Sequence, residues 1–231
     1  MSGAVELDID RTATVERIAL DATSWVDLVP GFVVDAEGLL RRVLDEVDWR
    51  QGEVWRFDRY VEERRLGAWV RADALAPAVR QTELHLGSRY RVPFEGVTAI
   101  HYRDGTDFQG LHSDREMRWL DDTLIAILVL GAARPFVLRP RGEWTDPAQR
   151  TDSSNDVVLR PGDGTLLVMG GRCQRDWLHG VPEDRSTDAS RVSLTWRWTA
   201  KRGRPDTAPG YFDGRSFSDR PNPQGWRTRR R

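Results

Sequence analysis

The chain has 231 residues, 39% hydrophobic and 31% charged, with a net charge of −1, which suits one sizeable core rather than several domains. A single cysteine, Cys173, excludes an intrachain disulfide and a zinc knuckle, and the densest apolar run, Leu124 to Leu130, is too short to span a membrane. Acidic and basic residues nearly cancel, so charge alone demands no nucleic-acid partner, although arginine is abundant and Lys201 is the only lysine.

Residues 1–30 read as an irregular lead-in, with no basic or apolar leader at their start. With the lone cysteine, this points to a reducing, cytoplasmic setting and to no membrane partner. Asp35 is placed to cap a helix from about Ala36 to Val47, whose Leu39, Leu40, Val43, Leu44 and Val47 form one stripe. A second helix is predicted from about Pro77 to Ser88, with Val79, Leu84 and Leu86 partly buried. From Gly96 the texture changes to short β-rich runs: Val97–Tyr102, Leu124–Leu130, Phe136–Arg139, Asp156–Leu159, Thr165–Met169, Trp177–Val181 and Arg191–Thr199. Short strands between turn signals argue for a sandwich or barrel. The expected class is mainly β with flanking helices (α+β). One domain spans 1–201, with a helical and lid region to about 95 and a β core from about 96. The remainder, 202–231, is an irregular basic tail ending in Trp226-Arg227-Thr228-Arg229-Arg230-Arg231, either solvated or touching phosphate.

Of four histidines, two stand in a pattern that metal chemistry would choose. His112-Ser113-Asp114 sets an imidazole and a carboxylate two residues apart, on one face of an extended chain. His179 follows far downstream. Two histidines and one carboxylate leave three metal positions open, the facial triad of non-haem iron(II) oxygenases. Each histidine alone reads equally as a loop or strand-end residue. From Arg191 to Trp198, Val192, Leu194, Trp196 and Trp198 take one strand face. Arg191, Ser193, Thr195 and Arg197 take the other. Two arginines in one cavity require an anion such as a dicarboxylate, unless that face is solvated.

The order His112-x-Asp114, His179, Arg191-x5-Arg197 resembles the AlkB family of 2-oxoglutarate dioxygenases, over about Val97 to Trp198. The likeness includes Tyr102-Arg103-Asp104-Gly105, Arg134-Pro135-Phe136, Gly162-Asp163-Gly164-Thr165 and Trp177-Leu178-His179-Gly180-Val181-Pro182. The resemblance implies a double-stranded β-helix (jelly-roll) core and Fe(II) held by the catalytic His112, Asp114 and His179. It implies 2-oxoglutarate bound by Tyr102, Arg191 and Arg197, and O2 as co-reactant. The activity implied is oxidative dealkylation of N-alkylated bases in DNA, with RNA as a further polymer, releasing formaldehyde and succinate. The enzyme would act as a monomer. Two departures stand out: Ile100 and Ser193 occupy positions where the family carries asparagine.

Repair of a base requires extruding it and sandwiching it between flat groups. Trp69, in Arg65-Leu66-Gly67-Ala68-Trp69-Val70, and Trp177, two residues before His179, are the candidate substrate-binding aromatics. Core packing is the alternative for each. Arg64, Arg65 and Arg71 could contact phosphates or form a solvated face. Two rival functions stay open: a small-molecule hydroxylase or demethylase on the same scaffold, and a non-catalytic nucleic-acid-binding module.

Overall fold

The computed structural model describes residues 8–56, 59–71, 73, 75–94, 96–114, 117–142 and 152–200. The expected tail at 202–231 lies outside the described residues. Two antiparallel sheets face each other. The larger has the order β1-β2-β10-β7-β12-β5-β4-β3 and the smaller β6-β11-β8-β9. The larger consists of β1 (Glu16–Ala19), β2 (Ser24–Val29), β3 (Arg50–Arg56), β4 (Arg59–Val70), β5 (Val97–Tyr102), β7 (Thr123–Gly131), β10 (Thr165–Gly171) and β12 (Arg191–Thr199). The smaller holds β6 (Gln109–His112), β8 (Phe136–Pro140), β9 (Val157–Leu159) and β11 (Trp177–Val181). This is the jelly-roll expected from the sequence, with helices α1 (Ala36–Glu46), α2 (Pro77–Tyr90) and α3 (Cys173–Asp176) added.

Strand periodicity divides the interior into two cores. On β7, Leu124, Ala126, Leu128 and Leu130 pack into an outer core with Leu39, Val43, Val79 and Leu86 of the helices. Ile125, Ile127 and Val129 point the other way, into an inner core with Phe136, Leu138 and Val181 of the smaller sheet. A strand buried on both faces needs a continuous apolar run, which is what Leu124–Leu130 supplies. β12 divides likewise: Val192, Leu194 and Trp196 join the outer core, leaving Arg191, Ser193, Thr195 and Arg197 facing between the sheets.

The helices follow their end signals. Asp35 caps α1 by accepting the Gly38 N–H at 2.9 Å. Pro77 opens α2, and Arg91 in the left-handed region (φ 55°) closes it. Leu84 is 49% exposed, against the expectation that it is partly buried, while Val79 and Leu86 are fully covered. No helix among the described residues is long and apolar enough to cross a membrane.

The N-terminal third departs most from the sequence reading. Residues 16–29 form a hairpin, not an irregular lead-in, and β2 pairs with β10 inside the larger sheet. Asp27 hides this strand: it is fully buried in β2, where two bonds from Arg17 and one from the Tyr90 hydroxyl satisfy it. β3 and β4 also extend the larger sheet, so strands as well as helices precede residue 96. Their signal is weak because β4 pairs with β5 only over Leu66–Val70, while residues 59–62 pair with β3 and not with β5. A two-stranded overhang buries too little on either face to show alternation.

Candidate metal centre

Antiparallel pairing of β6 with β11 puts His112 directly opposite His179. Asp114 follows two residues after His112, and one ligand atom from each of the three lies within 4.8 Å of the others. The imidazole rings are 4.3 Å apart, with Phe136 stacked on His179 at 5.9 Å. His112 Nδ1 lies 2.9 Å from the Gly110 carbonyl, to which it donates, leaving Nε2 to face Asp114 Oδ1 at 3.5 Å. Burial, reinforced by His112, pushes the buried His179 down to about 3, so it is a neutral donor at physiological pH. Burial raises Asp114, but Arg197, His112 and His179 outweigh it and hold the carboxyl well below the usual carboxylate range.

Asp114 is tied on two sides. Its main-chain N–H donates to Gln174 Oε1 at 2.9 Å, and Arg197 Nε donates to Oδ2 at 2.6 Å. Arg197 Nη1 also donates to Thr98 Oγ1 at 3.1 Å. One carboxylate oxygen is thereby engaged by arginine and the other faces the histidines. Sequence reasoning missed Gln174, a buried residue on a four-residue helix with no pattern to mark it.

Arg191 sits deeper on the same face of β12, directly across from Tyr102 on β5. It is fully buried, and burial pushes it down to about 10. Nη1 reaches the Pro161 carbonyl at 3.4 Å, whereas Nε and Nη2 have no hydrogen-bond partner among the described residues. Orphaned donors on a buried cation fit a carboxylate arriving between the sheets. Tyr102 is 4% exposed, with the Arg134 guanidinium 5.4 Å above its ring. Arg134 donates to the carbonyls of Asp104 (2.9 Å), Asp107 (2.8 Å) and Pro182 (2.7 Å). It ties the loop after Tyr102 to the chain after β11, a role the sequence reading did not assign.

The two candidate aromatics fall in different surroundings. Trp69 is 78% exposed and pairs with Thr98, so it borders the Asp114–Arg197 end of the inner face. Trp177 is 7% exposed, packs with the inner core, and donates its indole N–H to Asp21 Oδ2 at 2.6 Å. Ile100 and Ser193 pair across β5 and β12 on the same wall as Tyr102 and Arg191.

A jelly-roll in which two histidines and an aspartate converge, with a buried arginine bearing unpartnered nitrogens further along the same strand face as Arg197, defines an iron- and keto-acid-dependent oxygenase, and comparison agrees. Residues 71–197 match the 2OG-Fe(II) oxygenase superfamily, to which the chain belongs. The fold is similar to a prolyl hydroxylase from Trichoplax adhaerens, solved with a peptide fragment of hypoxia inducible factor (TM-score 0.54, 14% identity, 75% of this chain and 83% of that one). Within the superfamily the chain is a member of the AlkB family. It is 31% identical to the alpha-ketoglutarate-dependent dioxygenase alkB homolog 3 of Rattus norvegicus, over 85% of this chain and 72% of the relative. It is 30% identical to the DNA oxidative demethylase ALKBH2 of Homo sapiens, over 52% of this chain and 46% of the relative.

Proposed function

We infer that this enzyme oxidatively dealkylates N-alkylated bases in DNA, with RNA as a further substrate polymer. The observation that carries the reading is the convergence of His112, Asp114 and His179 within 4.8 Å at the border where the exposed Trp69 stands. Similarity to the human DNA oxidative demethylase supports the substrate class, and similarity to the rat alpha-ketoglutarate-dependent dioxygenase supports the cosubstrate.

His112, Asp114 and His179 would hold Fe(II), with Arg197 keeping Asp114 ionised and directed through one oxygen. Arg191 and Tyr102 would receive the distal carboxylate of 2-oxoglutarate, giving the orphaned Nε and Nη2 a charge-assisted partner. Iron with 2-oxoglutarate and O2 supplies the oxidation: one oxygen atom enters succinate as CO2 leaves, and the other converts N–CH3 into N–CH2OH. The hydroxymethyl group then breaks its C–N bond, its oxygen keeps both electrons of the O–H bond as C=O, and the base nitrogen takes the proton. Formaldehyde and the unmodified base result. The protein contributes the fixed ligand geometry and a covered pocket, and Trp69 is placed to stack on an extruded base. Trp177 contributes by packing beside His179 on β11. The lone, buried Cys173 suits the reducing cytoplasm, and the enzyme would act as a monomer.

Succinate formation with Fe(II) and ascorbate, measured with methylated, unmethylated or no single-stranded oligonucleotide, tests this reading. Stimulation by the methylated strand alone is expected. Equal rates in all three would move the substrate to small molecules.

A further inference from the structure

The inner face of β4 carries a charged pair that the triad does not use. Ala68 and Val70 pack against the outer core, so Glu63, Arg65, Gly67 and Trp69 share the opposite face of the strand. Arg65 Nη1 lies 2.6 Å from Glu63 Oε1, and the side chains are only 15% and 19% exposed. The Glu63 carboxylate lies over Gly52 of β3, where any Cβ would collide with it. A covered ion pair gains little net stability once both charges are desolvated, so packing alone gives no reason for it.

Arg65 faces Tyr102. The β4–β5 register sets Leu66 opposite His101, which brings Arg65, one step on, into the row of Tyr102 and Arg191. Three neighbouring strands thus carry the three side chains abreast, with the outer two about 10 Å apart at the backbone. Burial raises the Tyr102 hydroxyl, and the charge of Arg65 opposes that rise ahead of Arg191 and Arg134. Arg65 Nε has no hydrogen-bond partner among the described residues, and the same holds for Nε and Nη2 of Arg191. Ile100 and Ser193, on the same wall, add only one short hydroxyl. Two guanidiniums with free N–H groups on either side of one phenol form a receptor for a carboxylate.

We propose that Arg65 is a second cosubstrate-binding arginine, which grips the distal carboxylate of 2-oxoglutarate together with Arg191 and Tyr102. The proposal rests on the reading of this pocket as the cosubstrate site. Glu63 holds the Arg65 guanidinium against Tyr102, and the preference for a dicarboxylic keto acid over a monocarboxylic one is set from both sides of the phenol.

Calorimetric binding to Mn(II)-loaded protein, without O2 or nucleic acid, tests it with 2-oxoglutarate and with 2-oxobutyrate, which lacks the distal carboxylate. In Arg65→Met, 2-oxoglutarate binding is expected to weaken about tenfold, the worth of one charge-assisted contact, with 2-oxobutyrate unaffected. Arg65→Lys should recover part of the loss. If Arg191→Met weakens 2-oxoglutarate but Arg65→Met binds both keto acids as the wild type does, the proposal is overturned and the pocket reading stands. Equal loss of both keto acids in Arg65→Met also overturns it. Unchanged 2-oxoglutarate binding in Arg191→Met removes the pocket reading and the proposal together.

Discussion

Arg197 and Asp114, 83 positions apart in the chain, meet as an ion pair with Nε 2.6 Å from Oδ2. The strand that carries the arginine face therefore also steers the carboxylate of the His-Asp-His cluster. Because Thr98 anchors the other arm of the guanidinium at 3.1 Å, the arginine cannot follow the carboxylate if it rotates. Arg197→Met is expected to lower 2-oxoglutarate turnover about 10- to 100-fold, the usual cost of losing a group that orients a metal ligand. Succinate formation checks this, and a rate within twofold of wild type would contradict it.

Arg191 carries the opposite kind of prediction. Burial pushes its pKa down to about 10, so at neutral pH the folded protein still holds a charge that burial disfavours. A bound carboxylate offsets that cost; nothing among the described residues does so for Nε and Nη2. Arg191→Met is expected to raise the unfolding free energy of the cosubstrate-free protein by about 1 kcal/mol or more. It should also abolish the stabilisation given by 2-oxoglutarate. Urea unfolding with and without 2-oxoglutarate measures both effects.

Trp69 separates binding from stability. At 78% exposed its indole buries little, so Trp69→Ala should change stability by no more than about 0.5 kcal/mol. Loss of a base-stacking platform should raise KM for a methylated oligonucleotide about tenfold or more, since stacking is worth roughly 1–3 kcal/mol. An unchanged KM would remove Trp69 from the substrate site.

Much of this site is written in local patterns, and the rest is not local. Alternation along Arg191–Thr199 is enough to assign the two faces of β12, and the ends of β5, β11 and β12 fall where the apolar runs place them. The spacing His112-x-Asp114 with a distant His179 picks out three side chains that the fold brings together. What the sequence conceals depends on partners far along the chain. Asp27 disguises β2 because its charge is met by Arg17 and Tyr90. Gln174 is silent until the fold sets it against Asp114, 60 positions away. Arg134 looks like one arginine among many until its guanidinium is seen to bind the carbonyls of two loops.

Cys173 gives a pH prediction. Burial pushes its thiol up to about 12, above the ordinary value of about 8.5 that a thiol takes in the unfolded chain. The folded state then binds the proton more tightly, so its contribution is complete below about pH 8.5 and is lost as pH rises toward 12. Stability should fall through that alkaline window, less so in Cys173→Ala. A disulfide reagent at pH 8 should label the native thiol only as fast as the protein opens; rapid labelling of the native protein would contradict the burial.

The account stands most directly on formaldehyde release from a methylated single-stranded oligonucleotide, supplied with Fe(II), ascorbate and 2-oxoglutarate, by the wild type and by His112→Ala. Release by the wild type in step with succinate, and none from the variant, is the predicted result. Succinate without formaldehyde in the wild type, or formaldehyde release that survives in His112→Ala, would contradict it.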